Sequence, residues 1–351
     1  MKVGIVTFTF GDNFGQRLQN YALQEYLKQY SECVLTIPQK IPGGGLRKRF
    51  KAFRRMIGHP KNYILEKQRH RKFMMFDSKY ITYYSEYISE KTIPHNLNDK
   101  FDYFVCGSDQ IWSPYSPHVN STMFLTFADM KKRISYAASI AAENIPKEKI
   151  QEFVSYWKGF NKISIRESNL REFIEEMTGI EIFVHIDPTL LHGNNFWSAI
   201  ARKPSFFQLN NNYVLCYFLG NSAEKEGILK KFKLESYDIV DVMSDKKYYA
   251  ISPDEFVWFI KNAKVIITDS YHGTIFSIIF KKPFVIANRQ GGIVDMSSRF
   301  DTLFTKLDIG TRYSDVMKEE DLYSIDYESV EHKIENEQER TKDYFESYLR
   351  R

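Results

Sequence analysis

The chain opens on an apolar, β-branched run over residues 2–10. Turn chemistry follows from Gly11 to Gly15, and from Gln16 to Gln29 the residues Leu18, Tyr21, Ala22 and Tyr26 recur at helical spacing. This pattern predicts a strand, a loop and a helix. Further short apolar runs predict strands over 101–106, 134–139, 162–165 and 182–186, with helical patterns over 147–160 and 168–177. A turn-rich interval from Lys203-Pro204 to Asn210-Asn211-Asn212 then interrupts the pattern. A second set follows: strands over 213–219, 237–242, 264–268 and 283–287, and helices over 222–232, 252–262 and about 273–280. Pro253 after Ser252, with Asp254 and Glu255 in the first turn, is sound helix-start chemistry. Alternating strands and helices argue for parallel sheets covered on both faces. The fold class expected is therefore α/β, as two doubly wound Rossmann-like domains facing a cleft. The first spans 1–202, with a basic insertion over about 46–73; the second spans 210–325. A charged helix over 326–351 is expected to cross back to the first domain. Ligands in such folds bind at the carboxyl ends of the strands.

At 351 residues the chain exceeds the size at which one hydrophobic core stops growing, which supports two domains. Its net charge of +5 is concentrated. Between Leu46 and Phe73 stand eleven Lys or Arg against one acid, Glu66, so the remainder is net acidic. Leu46, Phe50, Phe53 and Ile57 form one helical stripe within this block. Two readings stay open: peripheral contact with an anionic membrane or an acidic lipid-linked substrate, or a solvated helix packed on its own domain. No nucleic-acid motif accompanies the charge, so nucleic acid is not expected as a partner. Cys33, Cys106 and Cys216 lie far apart in apolar surroundings and read as free thiols in a reducing compartment. With no apolar run of membrane-spanning length and a strand at its start, the chain is expected in the cytoplasm, with a place at the inner face of the membrane if the basic helix docks there.

Four segments are more polar than packing requires. The first is Asn13-Phe14-Gly15-Gln16 with Gln19, a turn and helix start that offers unpaired N–H groups; Asn13, Gly15 and Gln19 are candidates for acceptor binding. In the second, Gly107 to Trp112, Asp109 is a candidate base and Trp112 a face on which a pyranose stacks; the bland alternative is a capping Asp beside a core Trp. The third ends a strand at Arg166, whose fork suits a carboxylate or phosphate. The fourth, Thr268 to Ser277, places Asp269, Ser270, His272, Gly273 and Thr274 where a buried strand gives way to a helix, a cradle for an anion. Downstream, Arg289 and Arg299 lie in a Gly-rich loop and are candidates to bring further cations to the same crevice. His118, His185 and His192 read as structural. There is no Walker loop, GxGxxG, HExxH or metal-spaced cluster, so neither metal nor cofactor is expected.

Taken in order, these segments resemble the polysaccharide pyruvyl transferases. The stretches that carry the resemblance are Asn13 to Leu23, Gly107 to Trp112, Tyr136 to Ser139, Ser164 to Glu167, Asp187 to Leu191 and Asp269 to Gly273. The resemblance implies a GT-B-like fold, phosphoenolpyruvate as donor and co-substrate, and a sugar of a lipid-linked oligosaccharide or surface polysaccharide as acceptor, joined as a cyclic ketal. It also implies that Arg166 and His272 belong to the active site, with a Lys or Arg downstream of that His, a position for which Lys282, Arg289 and Arg299 compete. On that footing His272, held protonated by Asp269 or by the bound anion, is the expected acid, and Asp109 the expected base. Arg166, Ser270, Gly273, Thr274, Arg289 and Arg299 are expected around the donor. The competing expectation is a GT-B glycosyltransferase that draws on a nucleotide sugar.

Overall fold

The computed structural model describes residues 1–40, 58–208, 212–221, 223–288 and 297–349. Two parallel sheets organise them. In the first, strands β1 (Lys2–Val6), β2 (Cys33–Thr36), β3 (Tyr103–Cys106) and β4 (Arg133–Ser135) lie in the order β2-β1-β3-β4. The pair β5 (Ile163–Ile165) and β6 (Ile182–Val184) continues this sheet through a bridge between Ala138 and Ile165. In the second sheet β7 (Tyr213–Tyr217), β8 (Asp238–Asp241), β9 (Val265–Thr268) and β10 (Phe284–Ile286) take the order β10-β9-β7-β8. Every pairing between these strands is parallel. Strands covered on both faces must be apolar throughout, which is why β7 and β9 read as unbroken hydrophobic runs and are buried along their whole length.

Local chemistry sets the boundaries. The strand expected over 134–139 stops at Ser135 because Ala137 takes a left-handed conformation, with φ 45°. Helix α1 (Phe14–Leu27) begins after Asn13, whose side chain accepts the Gln16 N–H. The helix Pro253–Asn262 carries a capping box between Ser252 and Glu255. The helix expected near 273 starts two residues earlier, as Tyr271–Ile279, because Ser270 takes the cap. The apolar stripe from Leu46 to Ile57 lies outside the described residues. The rest of the basic block forms the helix Pro60–Tyr80, started by a proline in its first turn.

Two helices fasten the lobes together. Helix Tyr327–Leu349 starts against the second sheet, where the Tyr327 hydroxyl donates to the Lys282 carbonyl. It ends on the first, where Tyr344 donates to the Ser135 carbonyl at 2.8 Å and Phe345 packs on Tyr136 and Tyr26. On another side, helix Pro60–Tyr80 sends buried Arg69 to the carbonyls of Tyr249 at 2.6 Å and Asp12 at 3.1 Å, one from each lobe. The same guanidinium lies over the rings of Phe14, Phe73 and Tyr249. Lys72 pairs with Glu255 at 2.7 Å, and Arg17 of α1 pairs with buried Asp77 at 2.9 Å. Between these fastenings Phe14 stacks on Phe256 with centroids 4.4 Å apart, so residues of both sheets share one core.

Because Phe345 is fully buried against the first lobe, Phe345→Ala is expected to lower stability by about 3–5 kcal/mol. A urea midpoint within error of the parent would show that the terminal helix carries no such anchor.

Candidate functional site

His272 is the second residue of helix Tyr271–Ile279, immediately beyond β9. Its position is built by Thr268, whose hydroxyl donates to the Tyr217 carbonyl at 2.6 Å and accepts the Ser270 N–H at 3.0 Å. Ser270 in turn caps the helix, accepting the Gly273 N–H at 3.3 Å. Residue 273 must be glycine because a Cβ there would stand 2.6 Å from Thr268 Oγ1. From the other lobe the start of α1 presses on the imidazole: a Cβ at Gly15 would overlap His272 Nδ1. Two helix amino ends, one from each lobe, therefore meet at this histidine. Among the described residues the N–H groups of Phe14, Gly15, Tyr271 and His272 have no acceptor, and each helix end carries partial positive charge.

The group that answers this charge is Asp187, three residues past the end of β6. Its Oδ2 accepts from Arg166 Nη1 at 2.8 Å and Ser108 Oγ at 3.1 Å, and lies 3.5 Å from His272 Nε2. At that separation the contact with His272 is longer than an ordinary hydrogen bond. Oδ1 is held by the backbone N–H and hydroxyl of Thr189. Burial alone would push the Asp187 carboxyl up, but His272, Arg166 and the Thr189 N–H outweigh it and hold it well below the usual carboxylate range. Burial also works against the charge of Arg166, and Tyr271, Glu167, Asp187 and Asp109 more than offset that. Glu167 is itself fixed by Ser139 Oγ and by the Ile140 N–H.

Arg166 is 2% exposed and His272 7%. Arg166 Nη2 and His272 Nε2, and on the same helix as His272 the hydroxyl of Thr274, are buried without a hydrogen-bond partner, as is Arg166 Nε, which lies 3.5 Å from Glu167 Oε1. A cluster of unspent donors in a cationic, water-poor setting is what an anionic ligand needs. Tyr271 adds a plate to it: the Arg166 guanidinium lies 4.3 Å from its ring centroid and the Arg299 guanidinium 5.6 Å.

The structure thus brings together Arg166, His272, Gly15, Thr274 and Arg299, with Gly273 and Ser270 spent on shaping the helix start. Asp109 stands near Arg166 with φ 66°, and among the described residues its carboxylate accepts no hydrogen bond. Other expectations change. The carboxylate beside His272 is Asp187; both oxygens of Asp269 accept backbone N–H groups, from Leu219 at 2.6 Å and Gly220 at 2.7 Å. Trp112 is a core residue rather than a sugar platform: it is fully buried, stacked on Phe124 at 5.2 Å, with its indole N–H on the Met123 carbonyl. Gln19 is fully buried too, tying Thr7 to the Ser108 N–H, so it holds the loop that carries Asp109 rather than meeting a ligand. Asn13 is the cap of α1. Lys282 leads into the amino end of β10, opposite to the end where His272 lies, and Arg289 is outside the described residues. His185 is buried against Ser164, and burial pushes it down to about 3.

The profile of the polysaccharide pyruvyl transferase family matches residues 13–290. The chain belongs to this family. Membership places it among transferases that act on polysaccharide, and the matched region takes in α1, Asp109, Arg166, Asp187 and His272 from both lobes. Among solved structures, one described as a UDP-N-acetylglucosamine 2-epimerase from Listeria monocytogenes is similar at 13% identity and a TM-score of 0.50, over 99% of this chain and 96% of that one. A UDP-N-acetylglucosamine 2-epimerase from Rickettsia bellii is similar at 10% identity and a TM-score of 0.51, over 99% and 97%. At such identity the likeness is one of fold, and the fold of this pyruvyl transferase family member is GT-B. Among curated proteins no match is found. No helix among the described residues is long and apolar enough to cross a membrane.

Two outcomes follow from this geometry. A folded-state value below the unfolded one contributes stability that is fully present above the ordinary carboxylate range and is lost as pH falls from that range down through the folded-state value. Asp187→Asn is therefore expected to cost about 3–5 kcal/mol at neutral pH and to flatten the acid limb of the urea midpoint against pH; an unchanged acid limb would mean that Asp187 is not held ionised. Gly15→Ala is expected to lower stability by about 1–3 kcal/mol and to shift the imidazole resonances of His272 in nuclear magnetic resonance spectra. Undisturbed resonances would separate α1 from the histidine.

Proposed function

We propose that this chain transfers the pyruvyl group of phosphoenolpyruvate to a pair of hydroxyls on a sugar of a lipid-linked oligosaccharide or surface polysaccharide, forming a ketal. The observation that carries the reading is the meeting of Arg166 and His272, from opposite lobes, on a single oxygen of Asp187. Phosphoenolpyruvate carries a carboxylate and a phosphate, and it is answered by donors without hydrogen-bond partners on Arg166 and Thr274 and by two helix starts that meet at His272. Arg299, stacked on the same Tyr271 ring, supplies the second guanidinium of the donor side.

The chemistry needs an acid, a base and a grip on anions. His272, beside the ionised carboxylate of Asp187, protonates the methylene carbon of the donor; positive character develops at the adjacent carbon, and the first sugar oxygen bonds to it. Asp109 takes the proton from that hydroxyl. The bond from the same carbon to the phosphate oxygen then breaks, inorganic phosphate leaves, and the second hydroxyl closes the ring as it loses its proton. One donor and one diol give one ketal and one phosphate, with no net change in oxidation state, so these residues need no redox partner for the step.

His272→Ala is expected to keep the fold and most of the donor affinity while phosphate release falls by ~10²-fold or more. Arg166→Lys is expected to weaken donor binding about tenfold in calorimetry, because a lysine cannot fork. The direct test is mass spectrometry of lipid-linked oligosaccharides incubated with protein and phosphoenolpyruvate. A pyruvyl mass gain matched by phosphate release supports the reading, and none with any acceptor class counts against it.

The second reading, a glycosyltransferase using a nucleotide sugar, draws on the fold shared with UDP-N-acetylglucosamine 2-epimerases. A thermal-shift screen separates the two: stabilisation by phosphoenolpyruvate favours the first, and stabilisation by UDP-sugars alone the second.

A further inference from the structure

Helix Pro60–Tyr80 has an inner face and an outer face of different character. The inner face carries Arg69, Phe73, Phe76 and Asp77, all buried. At 3.6 residues per turn the opposite face carries Ile64, Lys67, Arg71, Met74, Met75 and Ser78. Three of these are large apolar side chains left open to solvent: Ile64 at 54%, Met74 at 51% and Met75 at 58%. Lys67 and Arg71 lie among them and are exposed, with exposed Lys61 and Lys79 on the flank. The two acids of this helix, Glu66 and Asp77, are off this face; Asp77 is spent on Arg17. Residues 41–57, outside the described set, bring six further Lys or Arg and no acid into the sequence that leads to it.

We propose that the outer face of this helix docks the protein on an anionic bilayer. Exposed cations and apolar side chains interleaved on one helical face, without an acid, suit a surface whose headgroups are negative and whose acyl layer begins just beneath. The long Lys and Arg side chains reach the phosphates while the Ile and Met side chains enter the boundary. The alternative partner of such charge, a nucleic acid, offers nothing for Ile64 near one end of this face, or for Met74 and Met75 near the other, to enter. The proposal goes beyond the reaction and does not depend on the identity of the donor. It places the protein where a lipid-linked acceptor would lie, since the inner face of this helix is tied to both lobes through Arg69.

The test is co-sedimentation of the full chain with vesicles of phosphatidylcholine, with and without phosphatidylglycerol. The expected result is binding to the anionic vesicles, weakened by salt, with no binding to the neutral ones. Lys67→Glu with Arg71→Glu is expected to lower the partition coefficient at least about tenfold. Ile64→Ser with Met75→Ser is expected to lower it by a similar factor and to leave the salt dependence in place. Urea midpoints equal to that of the parent serve as the folding control for both pairs of substitutions. Absence of binding, equal binding to both vesicle types, or binding that neither pair of substitutions alters would overturn the proposal, as would displacement of bound vesicles by an equal charge of duplex DNA.

Discussion

One carboxylate oxygen holds the centre of this molecule together. Asp187 Oδ2 receives Arg166 and Ser108 from the first lobe and faces His272 from the second. Around it two helix amino ends point inward. Positive ends of two helices, a guanidinium and an imidazole cannot be crowded into a buried space without an anion among them, and Asp187 is that anion in the protein itself. The arrangement is over-supplied with donors even so: Arg166 Nη2 and Thr274 Oγ1 are left without hydrogen-bond partners.

Such a centre depends on the lobes staying in register. Helix Tyr327–Leu349 grips both sheets on one side, and helix Pro60–Tyr80 grips both on another through Arg69 and Lys72. Between them Phe14, one residue before Gly15, stacks flat on Phe256 of the second lobe. The start of α1 is thereby set at the distance where glycine, and no larger residue, fits against His272. The helix that serves this purpose turns its other side to solvent with a composition suited to a negative surface.

Much of this was legible in the sequence because buried parallel strands are written as continuous apolar runs, and the turns after them as Gly, Asp, Ser and Asn. The strands at Val265–Thr268 and Tyr213–Tyr217 and the capped helix at Pro253 were readable on that ground. Asp187 stood in a matching stretch and yet carried no assigned role, since its partners lie about twenty and eighty residues away and an Asp before Pro reads as a simple helix cap. The available signal was that Arg166 and Asp187 both follow short apolar runs which pair side by side. Asp269 misled by its nearness in sequence to His272: a strand end and a helix cap turn the two side chains to different tasks. Trp112 misled because its environment is made by Phe124 and Trp157, which no local pattern brings near.

The most direct test is a crystal structure of the protein with phosphoenolpyruvate bound. The expected density places the phosphate and carboxylate between the helix starts at Phe14 and Tyr271, with an Arg166 nitrogen within hydrogen-bond reach of one and the methylene carbon facing the imidazole of His272. Donor density elsewhere on the molecule, with Arg166 and His272 engaging nothing but Asp187, would contradict the site described here.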